Sequence, residues 1–191
     1  DVLLAARRVG PTGRVYGLDI TPEMIELARR HQVEAGVSNA EFLLGRIEEI
    51  PLPDASVDVI VSNCVINLSG DKDAVFSEMY RVLRPGGRIA VSDIVARREL
   101  PAGVRALMVA WTGCVAGALV QDDYLARLDA AGFTEVTLTP EQVYSLADIE
   151  RMAADMDVSD EVRAVANTPG TPEALDNAAM SAHIAAVRPL D

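Results

Sequence analysis

A chain of 191 residues, half of them apolar and 24% charged, has the composition of one packed domain with at most a small appendage, and not that of a disordered or fibrous protein. Its 29 acidic against 17 basic residues leave a formal charge of −12, spread along the chain, so nucleic acid is not an expected partner. No apolar run approaches the ~20 residues of a membrane span, no secretion-signal pattern opens the chain, and the two cysteines lie fifty positions apart, outside any CxxC spacing. A cytoplasmic protein with reduced thiols and no membrane contact is expected.

Residues 2–9 read as a helix already under way, closed by the turn Gly10-Pro11-Thr12-Gly13. Residues 14–20 (RVYGLDI) predict a buried parallel strand. Thr21 then caps a helix with Pro22 at its first position and Glu23 in its first turn, which stops near Gly36. A strand at 41–44, a loop at 51–56 and a continuous apolar strand at 57–62 (VDVIVS) follow. Residues 71–83 are helical, with Asp71, Lys72 and Asp73 as a capped start, and the turn at 84–87 leads into a buried strand at 88–93. Helices at 104–118 and 121–131 precede a strand at 135–138. Beyond Tyr144, residues 146–156 read as a helix, 167–172 as a loop and 182–187 as a last strand.

Apolar strands that do not alternate, spaced by helices, predict an α/β protein with a doubly wound, mostly parallel, Rossmann-like sheet. The expected division is a domain at 1–144 and a small C-terminal segment at 145–191. A first strand and a glycine-rich loop should precede the opening helix and do not, so the domain is expected to be N-terminally truncated. In such sheets ligands bind at the carboxyl ends of the strands, and an acid ending the second strand takes ribose hydroxyls. Asp19 stands there. The plain alternative is that Asp19 only caps the next helix, a job for which Thr21 is better placed.

Three pieces in order, GLDIT at 17–21, GRIEEIPLPDASVD at 45–58 and LRPGG at 83–87, resemble the class I methyltransferases that use S-adenosylmethionine. LRPGG alone says little, since a turn before a strand needs Pro and Gly for backbone reasons. The resemblance implies that Asp19 holds the ribose with Thr21 beside it. It also implies that Ile20 packs on the adenine and that the backbone around Ile47 and Glu48 reads the adenine edge. Arg46 is a departure, standing where many of these enzymes carry an acid.

Two further stretches, SNCVINLSGDK at 62–72 and WTGCVAGAL at 111–119, decorate the acceptor side. Cys64 follows the end of the central strand. Cys114 lies in the insertion after the next strand, where substrate elements are commonly grafted. A lone cysteine in apolar surroundings is commonly inert core. Two of them beside the presumed site argue instead for a soft ligand set, because thiolates select thiophilic centres such as trivalent arsenic.

Both stretches closely resemble the arsenite methyltransferases, helped by RVGPTGRVYGLDIT, by IPLPDASVDVIVSNCVINLS and by MSAHIAAVRP near the end. This resemblance implies Cys64 and Cys114 as the thiols that bind As(III), Asn63 and Val65 lining the channel near the sulfonium, and Asn67 supporting that loop. S-adenosyl-L-methionine is the implied cofactor, As(III) as a thiol conjugate the substrate, a thiol reductant a partner, and a monomer the expected state. Two other readings stay open: a methyltransferase for a small organic acceptor such as a quinone or sterol precursor, and a non-catalytic protein that binds the metalloid through its thiols. His31 is expected to be solvated, His183 has no assigned role, and Trp111 reads as core or wall.

Overall fold

The computed structural model describes residues 1–99, 117–154 and 168–190. Contacts gather into two compact units, Asp1–Pro53 and Asp54–Asp191.

The first unit runs α1 (Val2–Val9), β1 (Val15–Asp19), α2 (Pro22–Glu34) and β2 (Ala40–Leu44). Both strands are parallel, with Val15 opposite Ala40 and Asp19 opposite Leu44. Parallel strands need a crossover, and α2 supplies it. Ala6, Ile25, Ala40 and Phe42 form the core, closed over by Val2, Leu3, Val15, Ala28 and Val37. Gly17 is required in β1 because a Cβ there would stand 2.8 Å from the Phe42 ring and 2.9 Å from Val2. The end of α1 is held by Asn39, whose Nδ2 reaches the carbonyls of Ala6, Gly10 and Gly13 at 2.8, 2.9 and 3.1 Å. A side-chain donor there serves carbonyls that a helix terminus leaves without intrahelical partners, and Gly10 O also accepts the Gly13 N–H at 3.2 Å.

The second unit contains β3 (Val57–Asn63), a 3-10 turn (Ile66–Leu68), α3 (Lys72–Val82), β4 (Leu83–Ala96), α4 (Gln121–Ala130), β5 (Thr134–Val143), α5 (Leu146–Ala154), α6 (Thr171–Leu175) and β6 (Ala179–Val187). Its sheet has the order β3-β4-β6-β5. β3 and β4 are parallel, whereas β6 is antiparallel to both of its neighbours. The fold is therefore α/β, with parallel pairs in both units and an antiparallel addition in the second.

Several elements differ from the sequence expectations. The last strand starts three residues earlier than expected and lies between β4 and β5, because Met180, Ala182, Ile184 and Ala186 recur on one face and are buried. β5 takes the edge, where Pro140 and a largely exposed row of side chains are tolerated. The turn at 84–87 is absorbed into β4: Gly86 N–H donates to Arg188 O and Arg188 N–H to Gly87 O. The expected loop at 167–172 gives way to α6 at Thr171. The helix expected at 104–118 lies outside the described residues apart from its last two, which are not helical.

α3 and α4 cover the sheet with Val75, Phe76, Met79 and Val82 from the first and Tyr124 and Leu128 from the second. Phe76 and Tyr124 meet at 5.3 Å between ring centroids, and Tyr80 and Phe133 edge to face at 5.4 Å, geometries that favour aromatic pairs by about 1 kcal/mol each. Along β4 the buried row is Ile89, Val91, Asp93 and Val95, so a carboxylate takes a core position in phase with three aliphatic side chains. Among the described residues no helix is long and apolar enough to cross a membrane.

Candidate functional site

In the first unit the sequence-predicted residues collect at the carboxyl end of the parallel pair. Asp19 is the last residue of β1, and its Oδ1 accepts the Thr21 N–H at 2.8 Å. This corrects one expectation: the Thr21 side chain makes no capping hydrogen bond, although its carbonyl accepts from Met24 and Ile25 at the start of α2. Asp19 instead shapes the entry to the helix with an Asx-type bond. Its Oδ2 has no partner among the described residues. Ile20 beside it is 57% exposed, an apolar side chain presented to solvent at a strand end. Gly45 N–H donates to Asp19 O at 3.0 Å, which ties the following turn to the same end. Ile47 and Glu48, both half-buried, form the tip of that turn between Arg46 and Glu49. Arg46 is turned to a local use, pairing with Glu48 Oε1 at 3.3 Å.

In the second unit the carboxyl end of β3 lies beside the later half of β4, Asn63 opposite Ser92. Asn63 is exposed. Cys64, half-buried, follows it in a left-handed conformation, φ 54°, which turns the chain off the strand. Its N–H donates to Ser92 O at 2.9 Å. Val65 is exposed, Ile66 is fully buried, and Asn67 points into the protein, where Nδ2 donates to Asp93 Oδ1 and to Ile94 O, each at 2.7 Å. Cys114 and Trp111 lie outside the described residues.

Beneath this turn is a group that the sequence reading missed. Asp93 is 1% exposed; burial lifts its carboxyl to about 6, against an N–H from Ile94 and the charge of Lys72, which both pull it down. Lys72 Nζ donates to Ser69 O at 2.9 Å, and its own partial burial lowers its amine while the charge of Asp93 raises it. Tyr124 is fully buried, and that burial, with the charge of Asp93, pushes its phenol far up. Among the described residues Asn67 Oδ1, Asp93 Oδ2 and Tyr124 OH are buried with no hydrogen-bond partner. The available signal was an acid inside an apolar strand, RIAVSD, in phase with Ile89 and Val91.

Other side chains weighed in the sequence behave as surface. His31 is exposed on α2, and His183 lies on β6 with Nε2 3.7 Å from Glu141. Asp71 caps α3 through the Ala74 N–H. Asp122 and Asp123 stand in the first turn of α4, and Arg127 joins Asp123 to Asp73 of α3. Among the described residues no group of three or more His, Cys, Asp or Glu could hold a metal ion.

Residues 1–151 match the family described as "Methyltransferase domain". The chain is 50% identical over 140 residues to an arsenite methyltransferase of Halobacterium salinarum, covering 73% of this chain and 36% of that protein. It is 41% identical over 155 residues to the arsenite methyltransferase of Aquipseudomonas alcaligenes, covering 78% of this chain and 45% of the relative. The chain thus spans less than half the length of these two relatives. The crystal structure of an arsenic(III) S-adenosylmethionine methyltransferase from Chlamydomonas reinhardtii superposes with a TM-score of 0.70 at 33% identity, over 97% of this chain and 58% of that one. The chain belongs to the methyltransferase domain family.

Proposed function

We propose that the protein transfers a methyl group from S-adenosylmethionine to trivalent arsenic held by the thiolates of Cys64 and Cys114. The observation that carries this reading is the seat of Cys64, half-buried on a left-handed turn at the carboxyl end of β3, in a chain 50% identical over 140 residues to an arsenite methyltransferase. Strand carboxyl ends are where α/β sheets bind ligands. The residues of the first unit fit the cofactor: a half-buried carboxylate keeps one oxygen unpartnered among the described residues, as a ribose diol requires, beside an exposed aliphatic surface at Ile20 that suits adenine. Asp19 would hold the ribose, Ile20 and Thr21 would flank it, and the backbone at Ile47 and Glu48 would read the adenine edge. Asn63 and Val65 would line the approach to the transferred group.

When bound, S-adenosylmethionine supplies a methyl carbon activated by a sulfonium. The work of this chain is to hold the acceptor. Each thiol that exchanges for a hydroxyl on arsenite forms one As–S bond and releases one water, and two such exchanges leave the arsenic lone pair available as the nucleophile. Orientation in a fixed seat supplies the rate, with little acid–base chemistry needed for the transfer itself. Oxidised cysteines cannot bind arsenic, so turnover needs a thiol reductant, consistent with a cytoplasmic, monomeric enzyme acting on As(III) as a thiol conjugate.

The test is arsenic methylation by the whole protein and by its Cys64→Ser and Cys114→Ser variants, with methylated arsenic separated by chromatography. Loss of product in each variant is expected. Undiminished arsenite turnover in both, or a clear preference for an organic acceptor in a parallel panel, overturns the reading.

A further inference from the structure

The turn that carries Cys64 is fastened at both ends to three consecutive residues of β4. At its start the Cys64 N–H donates to Ser92 O at 2.9 Å. At its end Asn67 Nδ2 donates to Asp93 Oδ1 and to Ile94 O, each at 2.7 Å. Between these fastenings Cys64 has φ 54°, a left-handed conformation that a residue with a Cβ keeps only where its surroundings over-determine it. The surroundings do so here: Ile66 is fully buried, and the 3-10 turn closes with the Leu68 N–H on Val65 O at 3.0 Å and the Ser69 N–H on Ile66 O at 3.1 Å.

Among these fastenings, only that of Asp93 comes from a side chain of β4. Packing accounts for Ile89, Val91 and Val95 in the same buried row, but it does not account for a carboxylate 1% exposed. Burying such a group costs stability, and its Oδ2 has no hydrogen-bond partner among the described residues. What the acid supplies in return is an acceptor for the Asn67 amide. That acceptor is itself held by its own strand, since Asp93 Oδ1 also takes the Ile94 N–H at 3.0 Å.

We propose that Asp93 is a positioning residue for Cys64: by holding the Asn67 amide it keeps the turn closed on β4 and Cys64 in its left-handed conformation, which fixes the direction in which the sulfur leaves the strand. The inference deepens the reading of Cys64 as an arsenic ligand and rests on it for its functional meaning. Groups that orient a ligand of a metal or metalloid from behind matter nearly as much as the ligand, and losing one typically costs 10- to 100-fold in affinity. Without the Asp93 oxygen the Asn67 end of the turn opens, Cys64 relaxes to an ordinary φ, and its sulfur points elsewhere. Capture itself is an exchange: As(OH)3 and the Cys64 thiol give one As–S bond and one water, and arsenic stays trivalent.

The experiment uses the whole protein and has two readouts. The first is the rate at which iodoacetamide alkylates Cys64, followed by mass spectrometry on the peptide that contains it. The second is retention of inorganic arsenite. Asp93→Ala should raise the alkylation rate on the order of 10-fold, the factor that one hydrogen bond to a charged group commands, and lower arsenite affinity roughly 10- to 100-fold. Asp93→Asn keeps an oxygen for Asn67 and should restore both towards native values. Arg188→Ala, which weakens the second unit at a distance from this turn in sequence, should leave the Cys64 rate as in the native protein.

A folded Asp93→Ala protein with the native Cys64 rate overturns the proposal. So does an Asp93→Asn protein as reactive as Asp93→Ala, or an Arg188→Ala protein that matches them, because the effect would then be general loosening. Should Asp93→Ala fail to fold, Asn67→Ala removes the donor of the same bond, and a native Cys64 rate in that variant overturns the proposal equally. The arsenic reading fails separately: if Cys64→Ser retains arsenite as the native protein does, Cys64 is not an arsenic ligand, and the alkylation rates still decide whether Asp93 fixes it.

Discussion

Asn67 Nδ2 donates to Asp93 Oδ1 across 2.7 Å, and neither residue is more than 3% exposed. The bond joins the turn that carries Cys64 to the buried face of β4, and it keeps a carboxylate at a position in phase with Ile89, Val91 and Val95. A buried charge is costly unless it is paired and hydrogen-bonded. Here one oxygen is satisfied by Asn67 and by the Ile94 N–H at 3.0 Å, and the other has no partner among the described residues.

The pH dependence of stability follows from that imbalance. Asp93 titrates near 6 in the folded protein and in the ordinary range near 3.9 when unfolded. Below about pH 4 both states hold the proton and the acid imposes no penalty. As pH rises from about 4 to about 6 the unfolded chain releases its proton first, so the folded state loses stability, in total on the order of 3 kcal/mol, and the loss then levels off. Asp93→Asn cannot ionise yet keeps an oxygen for Asn67. The difference in denaturation free energy between native protein and Asp93→Asn should therefore change by a few kcal/mol between pH 4 and pH 7, in favour of the variant at the higher pH. A difference that is flat with pH would show that the carboxyl is not buried as described.

Tyr124 gives a prediction of unusual sign. Its hydroxyl is buried with no partner among the described residues, while its ring packs on Phe76 at 5.3 Å. Removing an unsatisfied buried hydroxyl and leaving the ring costs nothing in packing. Tyr124→Phe should match the native melting temperature or exceed it, by up to about 1 kcal/mol of stability. A variant destabilised by that amount would reveal a partner for the hydroxyl. Tyr124→Ala, in contrast, opens a cavity beside Phe76 and should cost roughly 3–5 kcal/mol.

The order of elements was legible because it depends on local patterns. Pro22 after Thr21, the apolar run at β3 and Asp71 before α3 each announce a boundary through backbone chemistry, and each stands where expected. What escaped depended on contacts distant in sequence. β6 enters between β4 and β5 by pairing Ala182 with Asp93 and Pro140, a choice no local window contains. Asp93 reads in RIAVSD as a strand end, and only the packing of Tyr124 and Asn67 around it makes it a core acid. At the candidate site, Asp19 was legible by its place at a strand end. Its bond to Thr21 was not, because both residues are competent caps and geometry alone chooses between them. The expectation for Cys114 falls outside the described residues.

Arg188 closes the second unit from its C-terminal side. Its Nη1 faces the carbonyls of Tyr80, Arg81 and Leu83 at 3.0, 3.4 and 2.8 Å, and the guanidinium lies 4.6 Å from the centroid of the Tyr80 ring. It therefore serves the carbonyls at the end of α3 and the start of β4 while stacking on an aromatic face. Arg188→Ala should destabilise by about 2–3 kcal/mol. Arg188→Lys should recover only part of that, since an ammonium lacks the planar stack and the fixed fork. Chemical denaturation of the three proteins checks the order; a lysine variant as stable as native would assign the effect to charge alone.

Asp19→Asn separates the two readings of the acid at the end of β1. The carboxylate has a structural use, since Oδ1 accepts the Thr21 N–H at 2.8 Å, and a proposed binding use through Oδ2. Asparagine presents an amide oxygen to Thr21, so the entry to α2 and the melting temperature should stay close to native. It cannot offer a charged second oxygen to a ribose diol, and hydrogen bonds to a charged group are worth about 1.5–3 kcal/mol. S-adenosylmethionine affinity should therefore fall roughly 10- to 100-fold in calorimetry. Asp19→Ala should lose both, with a lower melting temperature as well as weak binding. If Asp19→Asn binds S-adenosylmethionine like the native protein while Asp19→Ala only melts earlier, the acid is a helix-entry device and the ribose must be held elsewhere.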